Sequence, residues 1–103
     1  MSKERKERVS KITSQFKSDL KRAVSHKKCD ITRLKQTMKD IVAKKPLDAG
    51  LLDHKLHGKY PKSRDGSTDC RECHTSNDWL LVYRFPDDDS VIFIRTGTHS
   101  DLF

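Results

Sequence analysis

Apolar residues along this chain follow two rhythms. Between Phe16 and Val42 they recur every three or four positions, and from Trp79 onward every second one. Phe16, Leu20 and Ala23 or Val24 lie at helical spacing with lysines and arginines between them, which predicts an amphipathic helix. Thr13 or Ser14 can cap it by accepting a hydrogen bond from an amide of the first turn. The cationic stretch His26–Lys28 suits its carboxyl end. Asp30 caps a second helix whose buried stripe is Leu34, Met38, Ile41 and Val42, and Pro46 stops it by restricting its predecessor. The short polar link between the two predicts an antiparallel hairpin.

Beyond Pro46 the period changes. Leu51, Leu52 and Leu56 lead to Gly58, and the Gly, Pro, Ser and Lys of Gly58–Asp69 predict an exposed loop. Strands are expected over Arg8–Ile12, Cys70–Thr75 and Val91–Thr96, the last after a turn at Pro86–Asp89. Trp79, Leu81, Tyr83 and Phe85 alternate against Leu80, Val82 and Arg84, the strongest strand signal in the chain. Both sides of the last two strands are largely apolar, so they should lie centrally with the helices over one face. The predicted fold class is α+β: a two-helix hairpin packed on a small, mostly antiparallel sheet. At 103 residues it is read as one domain, 1–103, with residues 1–8 flexible.

Charged residues make up 36% of the chain and the mean hydropathy is −0.84, near the disordered range, but the grouping of the apolar positions argues for folding. A net charge of +7 favours an anionic partner: nucleic acid, the ribosome, an acidic protein or a membrane surface. Lys17, Lys21, Lys35 and Lys39 on the helices are either a solvated face or contacts to ribosomal RNA phosphates. Met1–Ser10 is basic without an apolar core, and no apolar run nears membrane-spanning length, so a cytoplasmic protein with no membrane partner is expected. Three cysteines, an odd count, then read as reduced thiols.

Cys70-Arg71-Glu72-Cys73-His74 spells a c-type haem attachment pattern, but haem attachment goes with export. A redox thiol pair wants a helix start, and this segment reads as strand. Structural zinc would need His54 or His57 to complete the tetrahedron, and in a strand Cys70 and Cys73 point to opposite faces. No metal and no cofactor is expected. Cys29 reads as an inert thiol, and His26 as a surface residue.

The remaining polar residues form a different set. Arg71, His74, Asp78, Trp79, Arg95, His99 and Phe103, with His54 from earlier in the chain, combine proton carriers with guanidinium groups in a basic protein. Such a set suits metal-free work on a phosphodiester, with His and Asp exchanging protons and Arg neutralising phosphoryl oxygens. RNA is the natural substrate class, because its 2'-hydroxyl can attack the neighbouring phosphorus. Period two places Glu72 and His74 on one side of their strand, with Arg71 and Cys73 on the other. Gly97, between Arg95 and His99, is expected to supply a backbone angle closed to other residues. Trp79 and Tyr83 are also explained by core packing.

Leu56-x-Gly58, Arg71-x-x-His74, Asp78-Trp79-x-Leu81-x-Tyr83 and Arg95-Thr96-Gly97-Thr98-His99-x-x-Leu102-Phe103 closely resemble the YafQ branch of the RelE/ParE-like bacterial toxin superfamily, over about residues 12–103. The resemblance implies a RelE-like, microbial-RNase-like fold and a ribosome-dependent messenger-RNA endoribonuclease held inactive by a cognate antitoxin. It implies action at the ribosomal A site and DNA binding only through the antitoxin. The family's active-site positions fall on His54, His74, Asp78, Arg95, His99 and Phe103, with Glu72 in the place of a shorter acidic residue. Arg71 and Trp79 are read as substrate-side residues, Trp79 chiefly as support for Asp78. In the implied mechanism Arg95 holds the scissile phosphate and His54, or a His74–Asp78 pair, takes the proton of the 2'-hydroxyl. His99 protonates the 5'-oxygen, leaving a 2',3'-cyclic phosphate, and Phe103 stacks on a base. The alternative is a non-catalytic module, either like the gyrase-directed branch of the superfamily or an RNA-binding protein.

Overall fold

The computed structural model describes residues 7–55, 70–76 and 78–102. Five strands form one sheet in the order β1-β5-β4-β3-β2: β1 (Val9–Ile12), β2 (His54–Lys55), β3 (Arg71–Ser76), β4 (Trp79–Arg84) and β5 (Ser90–Gly97). The pairs β2–β3, β3–β4 and β4–β5 are antiparallel, and β1 joins the edge of β5 in parallel. The expected mostly antiparallel sheet is therefore present, with its most apolar strand, β4, at the centre. The expected exposed loop from Gly58 to Asp69 lies outside the described residues.

Helices α1 (Ser14–Ala23) and α2 (Ile31–Val42) cover one face, α1 against β5 and α2 against β3 and β5. Thr13 caps α1, its hydroxyl accepting from the amide of Phe16, and Asp30 caps α2 by accepting from the amide of Arg33. α1 stops at Ala23, short of the expected His26–Lys28. The buried position there is Ala23, whereas Val24 is exposed. α2 ends at Val42, ahead of the Pro46 signal. Lys44 turns into the left-handed region (φ 63°), and the amide of Lys45 donates to the carbonyl of Asp40, closing the helix from within. Arg8 lies inside the stretch expected to be flexible, yet it is fixed. Its amide donates to the Val42 carbonyl, its Nη1 to the Ile41 carbonyl, and its guanidinium lies 4.1 Å from the centre of the Phe85 ring.

Under the helices Phe16, Ala23, Leu34 and Ile41 meet Cys73, Trp79, Leu81, Tyr83, Val91 and Phe93. Cys70, Leu80, Val82, Ile94 and Leu102 form a smaller cluster on the opposite face. Leu102 comes from a short helix, α3 (His99–Leu102), absent from the sequence expectations. A Thr98–Asp101 capping box builds it: the amide of Asp101 donates to the Thr98 hydroxyl, and the amide of Thr98 donates to the Asp101 carboxylate. Gly97 has no left-handed φ, so the expected special angle is not its role. A Cβ there would sit 3.3 Å from both Asp101 Cβ and Leu102 Cδ2, and the glycine is what lets α3 lie against β5.

Phe93 sits between Phe16 and Tyr83, with ring centroids 5.8 and 6.5 Å away. Phe93→Ala should cost about 3–5 kcal/mol of stability. A lowered midpoint in urea unfolding with unchanged slope checks this.

Candidate active site

Two registers on one face of the sheet collect four of the predicted residues. One row runs His54–Glu72–Val82–Arg95 across β2, β3, β4 and β5, and the next runs His74–Leu80–Gly97. Direct cross-strand partners share a face. Glu72 and His74, opposite Val82 and Leu80, therefore face away from α1 and α2, into the side that carries Leu102 and α3. His99 lies two residues beyond Gly97, so three chain segments end at one edge of this face. His74 and Gly97 lie two strand spacings apart, about 10 Å. Phe103 lies outside the described residues, and His54 enters through its register position alone.

Two bulges shape this edge. His74 pairs with Leu80 but Ser76 with Trp79, so Thr75 is an extra residue in β3. Tyr83 pairs with Phe93 but Val82 with Arg95, so Ile94 is an extra residue in β5. Each bulge bends its strand and re-aims the side chains beyond it. After the second, the Arg95 guanidinium turns to α1 and grips Asp19 with two hydrogen bonds, Nε to Oδ2 at 2.7 Å and Nη2 to Oδ1 at 3.2 Å. Its side chain is 12% exposed. Asp19, 2% exposed, also accepts from Arg22 Nη2 at 2.7 Å and from the backbone amide of Thr96 at 3.1 Å. The Thr96 hydroxyl in turn accepts from Trp79 Nε1 and donates to the Leu80 carbonyl, both at 2.7 Å.

Asp78 sits at the start of β4 with its carboxylate split between two partners. Oδ2 accepts from Lys28 Nζ at 3.1 Å, and Oδ1 accepts from the backbone amide of His99 at 3.3 Å. The Lys28 ammonium and the His99 amide hold Asp78 below the usual carboxylate range. The expected His74–Asp78 pair is not formed: among the described residues no hydrogen bond joins them. Asp78 instead fixes the start of α3 and so the His99 backbone.

Two expectations need correction. Trp79 is 0% exposed, so it cannot touch substrate; it supports the site through Thr96. Arg71, opposite Tyr83, faces the helix side and forms a two-pronged ion pair with Asp53, whose carboxylate also accepts from the Tyr83 hydroxyl. Burial, then the Asp53 contact, pushes the Tyr83 hydroxyl far up and keeps it protonated. Arg71 thus anchors Asp53, the residue before His54, instead of offering its charge to a ligand. Cys70 and Cys73 fall in the two opposite core clusters, as the strand period requires. Burial, with Asp53 and Glu72 nearby, pushes the Cys73 thiol up to about 12, which suits neither a metal thiolate nor redox exchange. His26 is not simply a surface residue, since its ring lies 4.9 Å from that of Trp79.

Sequence reasoning missed Asp19, although a signal was there. Asp19 comes three positions after Phe16 and four before Ala23, so it stands on the buried stripe of a helix with no other acid. A carboxylate at such a position implies a buried cation opposite it.

The comparisons with known proteins fit this geometry. Residues 8–103 match the family described as bacterial toxin of type II toxin-antitoxin system, YafQ. The chain belongs to the YafQ toxin family. It is 35% identical over 92 residues, 88% of this chain and 90% of the relative, to the protein named mRNA interferase toxin YafQ from Escherichia coli K12. The toxin in the crystal structure of the E. coli DinJ–YafQ complex superposes with a TM-score of 0.75 at 34% identity, covering 93% of this chain and 98% of that one. A copper-bound mutant toxin from Helicobacter pylori gives 0.74 at 32% identity, covering 92% and 98%. Among the described residues of this YafQ-family chain, no three His, Cys, Asp or Glu side chains converge as metal ligands.

Asp19→Ala should destabilise the fold by about 3–5 kcal/mol, because it removes the carboxylate beside a largely buried guanidinium. Asp19→Asn should lie between that variant and the parent in chemical denaturation. In Lys28→Ala, the Asp78 carboxyl carbon should titrate closer to the ordinary aspartate value of 3.8, read by NMR. Since folding lowers this value, the contact stabilises the protein above the ordinary carboxylate range. That contribution is lost as pH falls through the lowered value.

Proposed function

We propose that this YafQ-family chain is a messenger-RNA endoribonuclease that cuts in the ribosomal A site, is held inactive by a cognate antitoxin and works in the bacterial cytoplasm. The observation that carries the reading is the meeting of β3, β4 and the β5–α3 junction at one edge. His74, Asp78, Arg95 and His99 come from all three. Among the described residues no helix is long and apolar enough to cross a membrane. The relative named an mRNA interferase and the relative solved with DinJ support the substrate and the antitoxin. DNA contact is assigned to the antitoxin.

In the proposed mechanism the 2'-hydroxyl of the target nucleotide attacks the adjacent phosphorus. His54 or His74 accepts its proton, and His99 donates one to the departing 5'-oxygen, leaving a 2',3'-cyclic phosphate. A histidine can fill either role near neutral pH, its ordinary pKa being about 6.5. Asp78 acts by fixing the α3 start rather than as the base, because Lys28 and the His99 amide occupy its two oxygens and lower its affinity for a proton. Arg95, locked to Asp19, supplies a fixed positive charge for the phosphoryl oxygens with little reorganisation. Glu72 lies beside His54 in register and orients the substrate side of the row, and Phe103 stacks on a base at about 1–3 kcal/mol. The exposed lysines Lys17, Lys21, Lys35 and Lys39 are assigned to ribosomal RNA phosphates.

His99→Ala should slow cleavage of messenger on translating ribosomes by about 10²–10⁴-fold. A 2'-deoxy substitution at the cut nucleotide should abolish cleavage, whereas a chelator should leave it unchanged. Cuts that persist at the parent rate in His99→Ala would remove it as the acid. Tight ribosome binding with no cuts by the parent would favour the non-catalytic module.

A further inference from the structure

Next to Asp78, outside the row of predicted residues, lies an open cleft of 530 Å³ lined by Lys27, Lys28, Cys29, Asp30, Ser76 and Asp78. Lys28 stands on the turn between α1 and α2. That turn is held by side chains: the amide of Lys28 donates to His26 Nδ1 at 3.1 Å, and the Ser76 hydroxyl donates to the Lys28 carbonyl at 2.9 Å. The amide of Asp30 donates to the same hydroxyl at 3.4 Å. The His26 ring in turn packs on Trp79. An exposed lysine that serves only solubility needs no such scaffold. Here the backbone of Lys28 is tied to β3 on one side and to the core tryptophan on the other.

The Lys28 side chain is 58% exposed, and its ammonium lies 3.1 Å from the carboxylate of Asp78, whose side chain is 41% exposed. An ion pair this wet contributes little to stability, so the fixed turn is not explained by the pair alone. Nζ has three donors and one goes to Asp78, which leaves it capacity to donate to a ligand in the cleft. Lys27, also exposed, adds a second positive charge to the wall.

We infer that this cleft is a phosphate subsite for the RNA strand, in which Lys28 bridges Asp78 and the phosphate next to the scissile one. The assignment rests on the endoribonuclease reading above and extends it: Lys28 sets where the strand lies relative to His99, through the Asp78 carboxylate they share. Charge at this position also suits an acidic segment of an antitoxin. The subsite's place beside Asp78 favours the RNA, because the same carboxylate accepts from the His99 amide.

The test is equilibrium binding of full-length toxin to ribosomes programmed with messenger whose A-site codon carries 2'-O-methyl groups, which block attack and separate binding from cleavage. Lys28→Ala should weaken binding by roughly tenfold or more. It should also reduce the slope of log affinity against log salt by about 0.7–0.9, the share of one phosphate contact. Lys28→Arg should stay near the parent, and Lys11→Ala, on the exposed edge strand, should match it. Parent-like affinity and slope in Lys28→Ala overturn the subsite, as does weaker binding with an unchanged salt slope. Loss of antitoxin affinity with ribosome affinity intact overturns it in favour of the acidic segment. A parent that neither binds nor cuts on ribosomes sinks the endoribonuclease reading itself, and this inference with it.

Discussion

A single buried carboxylate holds the helical layer to the reactive edge of the sheet. Asp19 reaches from α1 to where β1 has ended and β5, paired with β4 on its other side, continues with that edge open. There it accepts the Thr96 amide that a sheet partner would otherwise satisfy. The same two oxygens take Arg95 and Arg22, so one acid completes a strand edge and fixes the Arg95 guanidinium. Charge-assisted bonds of this kind are short and directional. Removing the carboxylate would loosen Arg95, the end of β5 and, through Thr96, the buried Trp79. Fold and site therefore share this contact, and neither can be altered at Asp19 without the other.

Regular sheet geometry alone would not build the site. An unbroken β5 would keep Arg95 in the alternation set by Phe93, and the extra Ile94 is what releases it to the edge. The extra Thr75 does the corresponding work in β3, separating His74 on the outer face from Ser76, which reaches back to the α1–α2 turn. Gly97 then admits α3, and the Thr98–Asp101 box starts it at once, so His99 is presented from the first helical position. Four local irregularities within a few residues each redirect one side chain, while the surrounding strands and core stay ordinary.

This division explains what the sequence made legible. Alternation from Trp79 to Phe85 and the caps Thr13 and Asp30 are local signals, and the corresponding elements appear where the pattern put them. The residue types of His54, His74 and Arg95 are legible in the sequence, but their placement in two neighbouring rows with Glu72 is not, since register is set by pairing between distant segments. Trp79 and Arg71 were misread for the same reason. Their types suit substrate contact, but burial against Thr96 and pairing with Asp53 are tertiary facts. The α3 helix was missed although Thr98-His99-Ser100-Asp101 carries the spacing of a capping box, because four residues give too little periodicity to register. Gly97 was understood as a matter of angle when it is one of space.

The acids of this basic protein do the organising. Asp19, Asp78 and Asp101 each accept from a defined partner beside the site, and two of them hold a cation there, Arg95 and Lys28, while Asp53 holds Arg71 on the helix side. A cleft made of lysine and arginine alone would attract RNA but leave its charges on flexible stems, with no fixed place for a phosphate. Pairing cations with buried or half-buried carboxylates costs some net attraction and restores direction. The exposed helix lysines can then supply long-range attraction, which salt screens within about 10 Å at 0.1 M. The paired groups act at contact distance, and burial limits that screening for Arg95 and Asp19, though not for the wetter Lys28 and Asp78. A net charge of +7 thus divides into exposed cations on the helices and cations held in place by carboxylate partners.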